Sequence, residues 1–419
     1  MLRLFSLFLL LILALPALAD DWPQWMGPNR DGLTAETGLL QEWPEGGPEK
    51  VWSYEKCGLG YSGPAIVGGT LYVMGERDKY EQLIAIDVAT GEERWATNLG
   101  DNEVQENEKY NEGWLGGPRG TPTVVGDRVY CLASRGELVC LNSQSGDMVW
   151  TKKMQDLGGK TPAWGYAESP LVVDGMVVCT PGGGEGAITA FDAKTGEIRW
   201  RCTELNDIAH YSSILSVTAH GKPMLVQLLE KRAVGLSPED GKLLWESPFD
   251  GSVAVIPTPL FHDNSVYITS GYGAGCQLIT LDDELKPTAV YEGAAKKLMA
   301  NHHGGVVRIG DHVYGHSDNK GWLCQNFATG KREWLERGGH EKGAIAYADG
   351  RLYCLGEGAG EIYLIAASPE GWEEHGHFKL EPQTEMDRKG GKIWTHPVIS
   401  GGKLFLRDQD QLHCYDVSL

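Results

Sequence analysis

The sequence predicts an all-β fold: an eight-bladed propeller of four-stranded blades, with an N-terminal strand closing the last blade. Three observations predict it. First, one segment recurs, clearest as Ala190-Phe191-Asp192-Ala193-Lys194-Thr195-Gly196-Glu197-Ile198-Arg199-Trp200. Aligned on the Trp, Trp95, Trp150, Trp200, Trp245 and Trp334 follow Gly91, Gly146, Gly196, Gly241 and Gly330, and small residues stand further upstream at Ala85, Cys140, Ala190, Gly235 and Cys324. Asp192 caps its own turn and Gly196 supplies the positive-φ corner between two strands. Second, tight turns at 68–69, 126–127, 174–175, 220–221, 263–264, 310–311, 349–350 and 401–402 join β-branched or alternating runs such as Thr70-Leu71-Tyr72-Val73-Met74. They recur every roughly 40 to 60 residues, the period of a four-stranded blade. Third, the 56 glycines come without a long helical period, as many short strands and tight turns require.

In chain order, residues 1–19 read as a secretory signal peptide: Arg3, an apolar run from Leu4 to Leu15, and Ala17-Leu18-Ala19 before Asp20. The run is too short for a membrane span, and the first cysteine is Cys57, so no cysteine stands at the cleavage point to carry a lipid. The expected protein is exported to the periplasm or beyond, soluble and monomeric. Residues 20–49 are an N-terminal arm with Trp22, Trp25 and Trp43 among Pro and Gly, expected to pack over one end of the domain, with a ligand platform as the alternative. The propeller occupies 50–419. Its fifth repeat lacks the Gly and offers Tyr291 for the Trp. In its seventh repeat Trp372 stands out of register, which moves the Trp position to near His375. The eighth ends one strand short at Asp416, and Lys50-Val51-Trp52-Ser53-Tyr54 has the missing character. Such closure leaves no gap between blades.

A net charge of −20 without a basic stripe argues against nucleic acid or anionic lipid as a partner. Of the nine cysteines, Cys140 and Cys324 occupy the small-residue slot and read as core. A hairpin turning at Arg135-Gly136 is expected to set Cys131 opposite Cys140, where a cross-strand bridge is possible. His375-Gly376-His377 reads as a solvated loop. Gly182-Gly183-Gly184 has neither the Lys nor the helix of a phosphate loop. The acidic insertion between Asn98 and Pro118, with Asp101, Glu103, Glu106, Glu108, Glu112 and Trp114, reads as a solvated loop, with a lid or partner-docking element as the alternative.

The segment A-x-D-x-x-T-G-x-x-x-W, clearest at 85–95 and 190–200, resembles the tryptophan-docking motif of the PQQ-type, quinoprotein-like eight-bladed propellers, from about Trp22 to the C-terminus. That family holds quinoprotein alcohol dehydrogenases and BamB-like scaffolds of outer-membrane protein assembly, so the resemblance implies the fold more than the function. The family's dehydrogenases hold PQQ under a disulfide between adjacent cysteines, over a Ca²⁺ ion bound by carboxylate and amide side chains. No Cys-Cys pair or C-x-x-C-H occurs here, and beside Glu168 the corresponding loops 209–213 and 254–258 offer neither Asp nor Asn. A hard cation needs six or more oxygens. The expectation is a non-catalytic scaffold without a cofactor, binding protein or carbohydrate; the alternative is a dehydrogenase dependent on PQQ and Ca²⁺.

Loops leading into the innermost strands converge on a propeller's channel. Seven residues before each hairpin turn stand Tyr61, Arg119, Ala167, Ser213, Ile256, His303, Lys342 and Trp394, with Glu168 one place further on in the third blade. The candidate mouth is therefore Tyr61, Arg119, Glu168, His303, Lys342 and Trp394, joined by Trp164, with an apolar sector in blades four and five. Arg119 and Glu168 have the alternative of pairing with each other across neighbouring blades. Of His302 and His303 only one is expected to face the channel, because neighbours in a strand alternate. Neither they nor other residues read as a metal site.

Overall fold

Each predicted hairpin forms on a turn that opens in the left-handed region: in six of the eight both turn residues have positive φ, as Gly68 and Gly69 at 55° and 74° or Asp263 and Asn264 at 46° and 58°, and in the other two only the first does, Gly126 at 59° and Gly310 at 56°. The computed structural model describes residues 21–100 and 116–419. These form eight four-stranded antiparallel sheets. The first seven blades run over 65–98, 123–153, 171–201, 215–248, 260–289, 306–336 and 343–379. The eighth takes three strands from 398–416 and its outermost, Glu49–Tyr54, from the N-terminal side, in antiparallel register from Glu49↔Asp416 to Tyr54↔Leu412.

The hydrophobic interior is eight small cores, each shared by two neighbours. One joins Phe405 and Cys414 of blade eight to Ile66 and Ile84 of blade one, and so seals the ring. The recurrent segment builds these interfaces. A bulge follows the small residue and sets the Trp directly opposite it, as in Ala85↔Trp95 and Cys140↔Trp150. The indole then reaches the next blade: Trp52 donates to the Val88 carbonyl (2.8 Å), Trp150 to Ala193 (3.1 Å), Trp200 to Pro238 (2.9 Å) and Trp334 to Ser368 (2.9 Å). It also covers that blade's turn glycine. A Cβ on Gly146, Gly196 or Gly241 would come within 2.8 Å of the covering Trp95, Trp150 or Trp200. Tyr291 does this work for blade five, its hydroxyl on the Phe327 carbonyl. Blade five has no turn glycine for Trp245, which turns back to its own Met224 (Nε1–Sδ 3.4 Å).

Several expectations need correction. Cys131 faces Val139, and Cys140 faces Tyr130, one register step from the expected pairing. The two thiols therefore point to opposite sides of the blade, into different interface cores. All nine cysteines are free and buried. His375 and His377 lie in the outermost strand of blade seven, Glu374–Lys379, and not in a loop. Its Trp position falls at Gly376, where Trp43 of the arm packs instead: a Cβ there would lie 2.8 Å from the Trp43 Cβ. The acidic insertion, Asp101 to Trp114, lies outside the described residues.

The arm does more than cover an end. Trp22 pairs with Ile66 of blade one, and Thr34 then bonds Tyr347 of blade seven, so the segment between them crosses the channel. Midway, buried Arg30 donates to the carbonyls of Ser169 (3.1 Å), Pro170 (2.5 Å) and Ile214 (2.9 Å) and to Gln24 Oε1 (2.8 Å). This guanidinium ties the plug to blades three and four.

Candidate functional site

Above the plug, the channel opens into a cavity of about 440 Å³, within the range that holds small ligands. All eight residues found by counting back from the hairpin turns line it, from Tyr61 of blade one round to Trp394 of blade eight, and Trp164 joins them. The repeat explains this, since each leads into an innermost strand at the same height. Glu168 is the exception and needs correction. One residue further along the extended backbone, its side chain turns away from the channel and is 1% exposed. Ala167 takes the wall position. The Glu168 carboxylate accepts the Thr180 N–H (2.7 Å), and burial pushes its pKa up to about 8 despite nearby Arg30. It does not pair with Arg119. That guanidinium sits over the Tyr61 ring at 5.2 Å and donates to the Gly117 carbonyl (2.9 Å).

One side of the cavity is a continuous stack. His302 lies 3.7 Å from His303, His303 4.3 Å from Trp394, and Trp394 4.9 Å from Tyr61, measured between ring centroids, with Arg119 beyond. Both imidazoles line the wall, against the alternation expected of a strand, because 301–305 precedes its strand as an irregular bend. The Lys342 ammonium, a donor only, reaches His302 Nδ1 (2.6 Å) and Asp318 Oδ1 (3.0 Å). His302 is therefore neutral with its proton on Nε2, a buried atom without a partner among the described residues. Burial and the Lys342 charge lower its pKa to about 4, and burial does the same to His396, which donates Nε2–H to the His303 carbonyl (2.9 Å). At neutral pH the imidazoles of the wall carry no charge.

Glu357, the carboxylate on this wall, is engaged at both oxygens, by Lys392 (3.1 Å) and by the Trp394 indole (3.0 Å). Across the cavity Trp164 and Tyr211 make a second aromatic surface, with centroids 5.8 Å apart at 58°. Trp25 reaches in from the arm, donates to Thr258 Oγ1 (2.8 Å) and stands edge-on to His396. Counting repeats missed Trp25, Tyr211, Tyr272, His302, Glu357, Lys392 and His396, which also line the cavity. Trp25 and Lys392 lie in connections outside the repeat, where no periodic position marks them.

A family model described as "Outer membrane protein assembly factor BamB" matches residues 81–336, more than half of the chain. The chain belongs to the BamB family. Outer membrane protein assembly factor BamB of Burkholderia pseudomallei is 26% identical over 391 residues, covering 91% of each chain. The crystal structure of BamB from Moraxella catarrhalis superposes with a TM-score of 0.62 at 14% identity, over 88% of this BamB-family chain and 97% of that one. Quinohemoprotein alcohol dehydrogenase ADH IIB of Pseudomonas putida is 32% identical over 128 residues, which is 29% of this chain and 17% of the dehydrogenase. The chain thus matches less than a fifth of that enzyme's length. Among the described residues no helix is long and apolar enough to cross a membrane.

Proposed function

We propose that this chain is a non-catalytic binding scaffold, exported across the inner membrane, which offers its channel mouth and the loops around it to a protein or carbohydrate partner. The observation that carries the reading is how the polar groups of the wall are committed. Lys342 is held between His302 and Asp318, and Glu357 between Lys392 and Trp394, so the wall is built to present a surface. The BamB relative aligned over nearly the whole chain supports it.

The dehydrogenase alternative asks for PQQ over Ca²⁺, and the residues present do not fit that pair. A calcium shell takes six to eight oxygens. Glu357 on this wall already serves two donors, Glu168 faces away, and no group of three or more His, Cys, Asp or Glu among the described residues is placed to hold a metal ion. The sequence has no adjacent cysteines to cover a quinone.

Reconstitution tests the reading. Purified protein incubated with PQQ and Ca²⁺ is expected to give no dye-linked alcohol or sugar oxidation and no quinone absorbance in the protein fraction. Turnover would overturn it. Export is checked by mass spectrometry of envelope and secreted fractions, with Asp20 as the expected mature N-terminus.

A further inference from the structure

We infer that the channel cavity is a binding site for an uncharged, apolar small molecule of a few rings. The inference goes beyond the reading of the mouth as a partner surface, because it concerns the enclosed space between that mouth and the plug.

The first support is what the lining has left to offer. Its polar atoms are bonded within the wall. The Trp25 indole donates to Thr258 Oγ1 (2.8 Å) and the Trp394 indole to Glu357 (3.0 Å). The Tyr61 hydroxyl meets the Gln409 side chain, and the Tyr211 hydroxyl meets the Trp164 backbone. The charged groups are engaged as well: Lys342 with Asp318 (3.0 Å), Lys392 with Glu357 (3.1 Å), and Arg119 with the Gly117 carbonyl (2.9 Å). His302 Nε2 and His303 Nδ1, which lack a hydrogen-bond partner among the described residues, are buried and open no surface to the cavity. Whichever part of these indole and phenol rings meets the space is therefore carbon, face or edge. Ala167, Ala254 and Ile256 add carbon between the rings.

Such a lining selects the ligand's chemistry. A carboxylate or ammonium buried there meets only charges that are already paired, and its lost hydration goes unreplaced. A sugar brings hydroxyls, and a peptide brings an N–H and a carbonyl with almost every residue. Each of these loses water on entry and needs a partner that the wall already uses. An uncharged apolar molecule meets neither cost and gains by leaving water. The volume of about 440 Å³ is in the range that takes a small organic ligand.

Tyr272 is a second, independent support. It lines the cavity although 48% of its surface is exposed. Its φ of 54° lies in the left-handed region, in a turn where Gly271 and Gly273 stand on either side. A residue with a Cβ is strained there and glycine is not, so the turn itself has no need of a tyrosine. The ring stands edge-on to His302, 4.5 Å away, at the rim where a molecule in the cavity covers it. Apolar surface left open beside a cavity marks a binding site.

Fluorescence titration of the full chain with N-phenylnaphthylamine, an uncharged dye, and with anilinonaphthalene sulfonate, the same skeleton bearing an anionic group, tests this. The uncharged dye is expected to bind at one site per chain, with energy transfer from the cavity tryptophans. It should bind at least about tenfold more tightly than the sulfonate and no more weakly as NaCl rises. Ile256→Trp, which fills the cavity, should lower its affinity at least about tenfold. Because that variant adds bulk to the wall, Tyr272→Gly is the second: it should weaken the dye several-fold and leave the melting temperature unchanged. No binding, tighter binding of the sulfonate or of PQQ, or displacement of the dye by maltotriose overturns the inference. So does a dye that binds the parent and both variants equally, since it then sits elsewhere. The scaffold reading is decided apart from this, by turnover in the reconstitution, whatever the dye does.

Discussion

The indole of Trp43 lies 5.7 Å from the ring of Tyr353, although Trp43 belongs to the N-terminal arm and Tyr353 to the second strand of blade seven. That contact repeats around the ring: Tyr72 with Trp95 at 6.0 Å, Tyr130 with Trp150 at 6.0 Å, Tyr314 with Trp334 at 6.1 Å. In blade eight Trp52 meets Phe405 at 5.9 Å. Blade seven carries Gly376 where its own Trp would stand, and the arm supplies the missing ring. Two of the eight positions, blades seven and eight, are thus filled from the start of the chain.

Trp43→Ala is therefore expected to cost about 3–5 kcal/mol, the range for a buried Trp, although the residue lies outside the repeats. Trp43→Phe should be mild. The Trp43 indole N–H is buried without a partner among the described residues, so its removal relieves an unmet donor. Trp150→Phe loses a real bond to the Ala193 carbonyl and should be worse by about 1 kcal/mol. Urea unfolding of the three variants checks this; equal losses for the two Phe variants would show that the arm's indole is bonded after all.

The plug makes a second prediction. Arg30 is 2% exposed, and its guanidinium serves three backbone carbonyls. Arg30→Met should cost about 3 kcal/mol, since those acceptors lose a charged donor and stay buried. Hydrogen exchange should rise first over 21–34 and spare the outer strands of the blades. Uniform acceleration across all blades would instead mean that the guanidinium holds the ring as well as the plug.

How far the sequence reached is clearest at these two residues. The blades were legible because each repeats a turn and a Trp, and the cavity wall because each repeat leads into the channel at the same offset. Trp43 and Arg30 were not, since a segment that plugs an irregular opening has no period to read; Trp25, which lines the cavity, was reached only through the alternative of a ligand platform in the arm. Glu168 was misplaced by a single residue, which along extended backbone is the difference between wall and core. Cys131 and Cys140 failed in the same way, by one step of register.

Glu168 gives a pH dependence whose sign follows from its raised pKa. In the fold it is pushed up to about 8 by burial, from an ordinary 4.5. The folded state thus holds the proton more tightly than the unfolded one. Its contribution to stability is full below pH 4.5 and is lost as the pH climbs through 8. Glu168→Gln keeps the shape and cannot ionise, so its melting temperature should fall less than the parent's between pH 6 and 9. The variant is expected to be the more stable protein at pH 9. A constant deficit at every pH would show that Glu168 is ionised throughout and paired with Arg30.

The cysteines provide the last prediction. Nine cysteines would invite disulfides in an exported protein, yet all nine thiols are free and buried. Burial raises the pKa values of Cys57 and Cys140 to about 11 and holds that of Cys131 well above its ordinary value, so the reactive thiolate is scarce at neutral pH. The native protein should resist thiol reagents, and nine thiols should react on denaturation without reductant. Dithiothreitol should leave the melting temperature unchanged. Cys140→Ala, in the slot where Ala85 and Ala190 already stand, should cost no more than about 1 kcal/mol. A Cys131–Cys140 bridge would show itself as two missing thiols and a melting temperature that drops on reduction, and it would require blade two to shift its register by one residue.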